Sequence, residues 1–304
     1  MYNIPDFLII GAGKSGTTSL DNYLKQHPDI FMSSRKEPDF FSYDKIDLKT
    51  LDKDALAHYE NAVTDIKTYS DLFQEASEHQ LKGETSNTYL VIEGTAENIY
   101  SYHPQMKLIA ILRQPTQRLF SRYLHLARES ELPSKNFEEV LDKSSIWWIR
   151  NDLVKEGFYY KNLKRYFDVF PHQNIRVYLQ EDLKNHPVKT LNSIYEFLSL
   201  KKLDAINDTI EYNKSGFIKN KFYDRTIGHN SIIKKVIKKV IPSTFYKSLK
   251  ENKWLKQNIN KLQEKNLERP ELSKALYQKI TDDIYKDDII SLSKLIKRDL
   301  NSWL

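Results

Sequence analysis

The sequence predicts an α/β fold: a central, mostly parallel sheet flanked by helices, with a helical C-terminal portion. Three features carry that expectation. Short apolar runs alternate with amphipathic stretches of helical period through the first two-thirds of the chain, the pattern of strands joined by crossover helices. The first of those runs passes directly into a glycine-rich loop. Beyond about Ser231 the alternation gives way to helical spacing alone.

Taken in order, Phe7–Ile10 is short and wholly apolar, as a buried strand is. The loop that follows leads into an amphipathic helix over Thr17–Gln26. Ile30–Met32 is a short strand, and Leu51–Val63 and Ser70–Glu78 are helical in pattern. Leu81–Glu84 is a strand end, and Glu93–Tyr102 a helix. Lys107–Leu112 (KLIAIL) is the clearest buried strand, with a helix from Pro115, where proline suits the first turn. Helices over Phe137–Asp142 and Tyr160–Phe170, a strand over Ile175–Leu179 and a proline-opened helix over Pro187–Leu198 complete the alternating part. Ile232, Ile233, Val236, Ile237, Val240 and Ile241 then follow helical spacing with lysine pairs opposite, until Pro242. Leu272–Leu295 holds one or two more helices. No repeat or low-complexity linker intervenes, so the expected organisation is one domain over 1–304, with 226–268 as a basic helical insertion. Ligands of such sheets sit at the carboxyl ends of strands, which singles out the loops after Ile10, Glu84 and Leu112.

Composition narrows the function. Apolar residues make up 40% of the 304, enough for a real core. Cysteine is absent, which excludes disulfides and thiolate metal sites. The eight histidines are scattered and form no HExxH spacing, so no metal is expected. The net charge is +6, but residues 231–265 carry ten lysines against Glu251 and Glu264, leaving the remainder slightly acidic. Basic character confined to one segment does not describe a nucleic-acid surface. It describes a solvated helix, a wall for a polyanion, or a helix lying on a membrane. The opening residues MYNIPDFLIIGAGKSG have no basic leader and no apolar span, so the expected location is cytoplasmic, with a lumenal enzyme cut from its anchor as the alternative.

Gly11-Ala12-Gly13-Lys14-Ser15-Gly16-Thr17-Thr18 joins the first strand to the first helix. Glycines let the backbone approach a ligand, and free N–H groups at a helix start attract anions. Lys14, Ser15, Gly16, Thr17 and Thr18 are therefore candidates for holding a phosphate. A Walker A loop would require lysine where Thr17 stands. The pattern GxGxxG is met by Gly11, Gly13 and Gly16, but no acidic residue clearly closes a second strand. A plain tight turn is the remaining alternative. A second anion site is expected in LRQPTQRLFSRYLH, where Arg113 ends a strand and Ser121 follows on the helix opened by Pro115.

Four segments together resemble one family, the sulfotransferases that use 3′-phosphoadenosine-5′-phosphosulfate (PAPS), especially their heparan-sulfate branch and its bacterial relatives. FLIIGAGKSGTTSLDNYLKQHPDI resembles their 5′-phosphosulfate loop. The spacing Arg-x-Pro-x-x-Arg-x-x-Ser-x-Tyr at 113–123 resembles their 3′-phosphate motif, with Arg118 and Tyr123 also matching. SSRKEPDFF at 33–41 resembles a Lys-Glu-Pro-x-Phe-Phe stretch near the acceptor, with Asp39 where that branch usually has histidine. KGETSNTY at 82–89 resembles Glu-Lys-Ser/Thr-x-x-Tyr-Phe, with Thr85 in place of lysine and Leu90 in place of phenylalanine.

The resemblance implies a P-loop-like sheet and transfer of a sulfuryl group from PAPS to a hydroxyl or amine, with 3′,5′-ADP as product. The acceptor implied is a carbohydrate. It further implies Glu84 as general base, Lys14 and the Gly16–Thr18 amides at the leaving phosphate, and Arg113 and Ser121 at the 3′-phosphate. Lys36, Asp39, Thr85 and Ser86 fall on the acceptor side. Glu37 and Asp39 are the alternative bases, and Lys219, Lys221 or Arg225 would stand in for a loop closing over the 3′-phosphate. The similarity continues through Gly157–Leu200, where Glu181 and Asp182 read as structural, through Tyr212–Phe217, and into the terminal helix. It is weakest from about 226 to 268. A P-loop kinase or NTPase and a non-enzymatic polyanion-binding protein are the competing classes.

Overall fold

The first strand, β1 (Phe7–Gly11), is the middle strand of a five-stranded sheet. The other four are β2 (Ile30–Met32), β3 (Leu81–Thr85), β4 (Lys107–Leu112) and β5 (Ile175–Leu179), in spatial order β2-β3-β1-β4-β5. All four pairings are parallel. The computed structural model describes residues 2–45, 62–207, 216–220, 266–268 and 270–304. The expected helix over Leu51–Val63 lies largely outside these residues, as do the lysine-rich stretch 231–265, Lys221 and Arg225.

The described chain divides into two compact units. The first comprises Met1–Leu119, Glu138–Tyr212 and Lys274–Leu304 and holds the whole parallel sheet. Alternate strand residues face opposite sides. Phe7, Ile9, Ile109, Ile111 and Tyr178 share a core with Leu20, Tyr23 and Leu24 of α1 (Thr17–Leu24). Phe40–Tyr43 forms a short α2, and Ile66–Asp71 forms α3. Against the opposite side of β1 packs α4 (Thr88–Val91), which also meets α5 (Thr95–Tyr102). The helix α6 (Pro115–Glu129) starts in the first unit and continues into the second. Tyr159–Val169, α7, packs on α5, and α8 (Gln180–Asn185) and α9 (Pro187–Phe197) close the first core. The C-terminal portion is α10 (Lys274–Ile280), one wider turn at Thr281–Tyr285, and α11 (Lys286–Ile296), which packs on α7.

In the second unit, Phe120–Phe137 with Asn213–Ser273, β6 (Phe217–Ile218) pairs antiparallel with β7 (Leu267–Glu268). The Tyr123 ring stacks near Phe120 and tilts on Phe137, and its hydroxyl donates to Lys135 O at 2.9 Å.

Several boundaries differ from the sequence pattern for local reasons. The helix expected at Ser70–Glu78 runs instead over Ile66–Asp71, because Asp65 caps it by accepting Thr68 N–H at 2.9 Å. The expected Glu93–Tyr102 helix begins only at Thr95, after Gly94 in the left-handed region. Phe137–Leu141 winds as a 3₁₀ turn. Among the described residues no helix is long and apolar enough to cross a membrane.

Gly83 shows how tightly the sheet is filled. A Cβ there would lie 2.2 Å from Phe7 Cζ and 2.6 Å from Met32 Sδ. Gly83→Ala is therefore expected to cost about 1–3 kcal/mol, the range for overpacking a core. Denaturant unfolding at unchanged slope checks it.

Candidate active site

The parallel register brings three strand ends to one edge. Leu8 and Ile9 of β1 lie opposite Glu84 and Thr85 of β3, and Gly11 lies opposite Ala110 of β4. At the end of β1 the chain turns through Lys14 at φ 64° and Gly16 at φ 99° into α1. No side chain caps this helix and its first turn holds no acidic residue. The N–H groups of its first turn therefore point out of the helix with its positive end, where an anion is favoured. Ser15 is fully buried, and its hydroxyl, beside that of Tyr159, meets no hydrogen-bond partner of sound geometry. Lys14 is half-buried.

Gly13 explains itself by a contact rather than by its dihedral angles. Its N–H donates to Glu156 Oε1 at 2.6 Å, and a Cβ on residue 13 would sit 2.9 Å from that same oxygen. The middle glycine of the loop makes room for a carboxylate of the protein. Arg118, fully buried, meets the other oxygen of Glu156 at 2.6 Å and donates to the carbonyls of Asp152 and Leu153. Arg118 of the arginine–serine motif is thus engaged inside the protein.

Arg113 stands at the end of β4. The Tyr159 hydroxyl holds its backbone carbonyl at 2.8 Å. Its own Nε is buried without a hydrogen-bond partner. Burial holds the guanidinium below its ordinary pKa, against the opposing influence of Tyr159 and Glu181. Among the described residues it forms no ion pair, so it is a partly desolvated cation suited to an incoming anion. Ser121 is half-buried on the continuation of α6, in the second unit.

Glu84 is fully buried at the end of β3. Ser86 Oγ donates to its Oε1 at 2.5 Å and Tyr69 OH to its Oε2 at 3.1 Å. Burial drives its pKa up to about 8, and neighbouring Asp39 pushes the same way, against hydrogen bonds from Ser86, Tyr89 and Tyr69. Sequence reasoning missed Tyr69, which arrives from α3 and is itself fully buried. It also missed Glu156 and the role of Tyr159. A glutamate that reaches back 143 residues to a loop N–H has no local signal; its place before Gly157-x-Tyr159 is the nearest hint.

The remaining expected residues gather around Glu84. Asp39, almost fully buried and at φ 55°, accepts Thr88 Oγ1 at 2.6 Å, while its N–H donates to Ser86 Oγ. Lys36 pairs with Glu37 at 2.8 Å, and Asn87 Nδ2 donates to the same Glu37 oxygen. Thr85 points the other way, donating to Asp21 of α1 at 3.0 Å. Thr85 and Ser86 have essentially no exposed surface. Glu181 and Asp182 accept Trp303 Nε1 at 2.7 Å and the Arg298 guanidinium, fastening the C-terminal segment to α8. Lys219 lies exposed in the second unit. Among the described residues no three His, Asp or Glu side chains come together as a metal site.

Comparison with known proteins gives a consistent answer. A family model described as the sulfotransferase family matches residues 5–204. Heparan sulfate glucosamine 3-O-sulfotransferase 5 of Mus musculus is 27% identical over 205 residues, 66% of this chain and 55% of that protein. The bifunctional heparan sulfate N-deacetylase/N-sulfotransferase of Drosophila melanogaster is 24% identical over 236 residues, 71% of this chain but 22% of that protein. The chain thus spans from about a fifth to about half of these relatives. A crystal structure of a sulfotransferase from Alicyclobacillus acidocaldarius superposes with TM-score 0.70 at 26% identity, covering 99% of this chain and 98% of that one.

The Glu84 environment makes a signed prediction. Glutamate titrates at 4.5 when unperturbed and here at about 8 when folded. Between those values the folded chain holds a proton that the unfolded chain has released, so stability falls as pH rises through the window. The loss is absent below it and complete above it. At pH 7 it is on the order of 3 kcal/mol. Glu84→Gln is expected to unfold at the same temperature as wild type near pH 4.5 and progressively higher toward pH 8. Parallel melting curves across that range would mean that Glu84 folds as a charged group.

Proposed function

Because the chain belongs to the sulfotransferase family, we propose that it transfers the sulfuryl group of PAPS to a hydroxyl or amine of a carbohydrate acceptor. The observation that carries the donor reading is the pair of anion-seeking sites on adjacent strands. One is the uncapped helix start with buried Ser15 after β1, and the other is the desolvated Arg113 after β4. A nucleotide with phosphates at its 5′ and 3′ positions needs two such sites. In this reading Lys14, Ser15, Gly16, Thr17 and Thr18 take the 5′-phosphosulfate, and Arg113 takes the 3′-phosphate. The names of the curated relatives, which refer to heparan sulfate, support a polysaccharide or glycolipid acceptor.

The acceptor oxygen or nitrogen attacks sulfur in line with the 5′-phosphate. The new bond to sulfur forms as the sulfur–oxygen bond to the phosphate breaks, and 3′,5′-ADP leaves. Charge growing on the bridging oxygen meets Lys14 and the N–H groups of Gly16–Thr18. The proton lost by the acceptor passes to Glu84. A carboxylate of ordinary pKa is a poor base at neutral pH, whereas one near 8 is matched to proton transfer there. In the resting chain its neutral form predominates at pH 7, so only the ionised minority is competent. Lys36 and Asp39 belong to the acceptor side. Thr85 and Ser86 act from behind, Thr85 through Asp21 and Ser86 by orienting Glu84. The lysine-rich segment 231–265 is the proposed contact for an anionic acceptor or membrane surface.

Three measurements test this. 3′,5′-ADP is expected to raise the melting temperature well above the effect of equal ATP or NAD; a preference for either of those would defeat the donor reading. With PAPS and a glycan acceptor, kcat/KM is expected to climb with pH toward an inflection near 8. Glu84→Gln is expected to lower turnover by about 10²–10⁴-fold at unchanged 3′,5′-ADP affinity. Retained turnover would move the base role to Asp39 or Glu37.

A further inference from the structure

Both anion sites are tied to one short stretch of chain. Glu156 accepts the Gly13 N–H in the loop after β1 at 2.6 Å. Three residues on, the Tyr159 hydroxyl donates to Arg113 O at the end of β4 at 2.8 Å. Neither residue has more than 4% of its surface exposed, so both act through the backbone they hold. Glu156 would repel a phosphate if its charge were bare, but Arg118 pairs with it at 2.6 Å, also in the buried interior.

The stretch is itself fixed from behind. Tyr285 OH donates to Val154 O at 3.0 Å, and Asp288 accepts Tyr160 N–H at 2.9 Å and Lys161 N–H at 3.3 Å at the start of α7. A Cβ on Gly157 would stand 2.7 Å from the Tyr285 ring, so the turn between the two holding residues sits directly on the C-terminal portion.

We propose that Glu156 and Tyr159 are positioning residues that set the separation of the two phosphate sites, Glu156 by holding the Gly13 turn and Tyr159 by holding the Arg113 backbone. The inference rests on the donor reading above and adds residues that the phosphate motifs do not contain. Its physical content is specific. A single phosphate is satisfied by one site whatever the distance to the other. Two phosphates on one nucleoside bind together only if the distance is right, because the second contact is intramolecular and depends on geometry.

The discriminating quantity is the ratio of dissociation constants for 5′-AMP and 3′,5′-ADP, measured by calorimetry on the full chain. Tyr159→Phe keeps the ring and removes the hydroxyl. It is expected to shrink that ratio about fivefold, the share of one hydrogen bond, with 5′-AMP affinity little changed. Glu156→Gln should shrink it further, since it also leaves Arg118 without its counter-charge; if that variant fails to fold, the tyrosine variant alone decides. A merely structural role would lower the melting temperature and leave the ratio at its wild-type value, and that result overturns the proposal. A wild-type chain that binds 5′-AMP as tightly as 3′,5′-ADP overturns the donor reading and this inference together.

Discussion

The site depends on one constraint, the parallel pairing of β1 with both β3 and β4. Parallel neighbours end at the same edge. The glycine loop, Glu84 and Arg113 therefore meet there although they are far apart in sequence. A central strand flanked in this way opens a crevice beyond its carboxyl end. The tight packing beneath it, with Gly83 pressed between Phe7 and Met32, keeps the register from slipping.

Two buried glutamates near that edge show how environment assigns a role. Glu156 faces the Arg118 guanidinium and a loop N–H, so its charge is compensated and it serves as a strut. Glu84 faces Ser86, Tyr69 and Tyr89, with Asp39 nearby, so burial favours its neutral form. The first holds backbone in place. The second is a carboxyl whose protonation changes across neutral pH. Separating the two by sequence is impossible, because each difference lies in partners supplied by distant segments.

Much of the fold was legible because periodicity and punctuation were strong. KLIAIL, FLII and the proline at 115 mark their strands and helix plainly, and β4 and β5 fall where the pattern puts them. Misplaced boundaries had local causes that the pattern underweights, such as Asp65 capping a helix ahead of Ser70 and Gly94 delaying the start of α5. The loop Gly11–Thr18 and Arg113 were legible as candidates because a glycine-rich turn and a strand-end arginine are compact in sequence. Arg118, matched within the same motif, turned out to be engaged with Glu156.

Sequence alone determined the α/β class, the glycine loop and the candidate charged residues, since these follow from short-range pattern and residue type. Tertiary structure decided which of those residues are buried and which face each other. It turned Thr85 toward Asp21, buried Glu84 beneath Tyr69, and strung Gly13 and Arg113 to Glu156 and Tyr159. The physical reason is that burial and hydrogen-bond partnership are set by contacts between segments tens to hundreds of residues apart, and a side chain's protonation and purpose follow from those contacts.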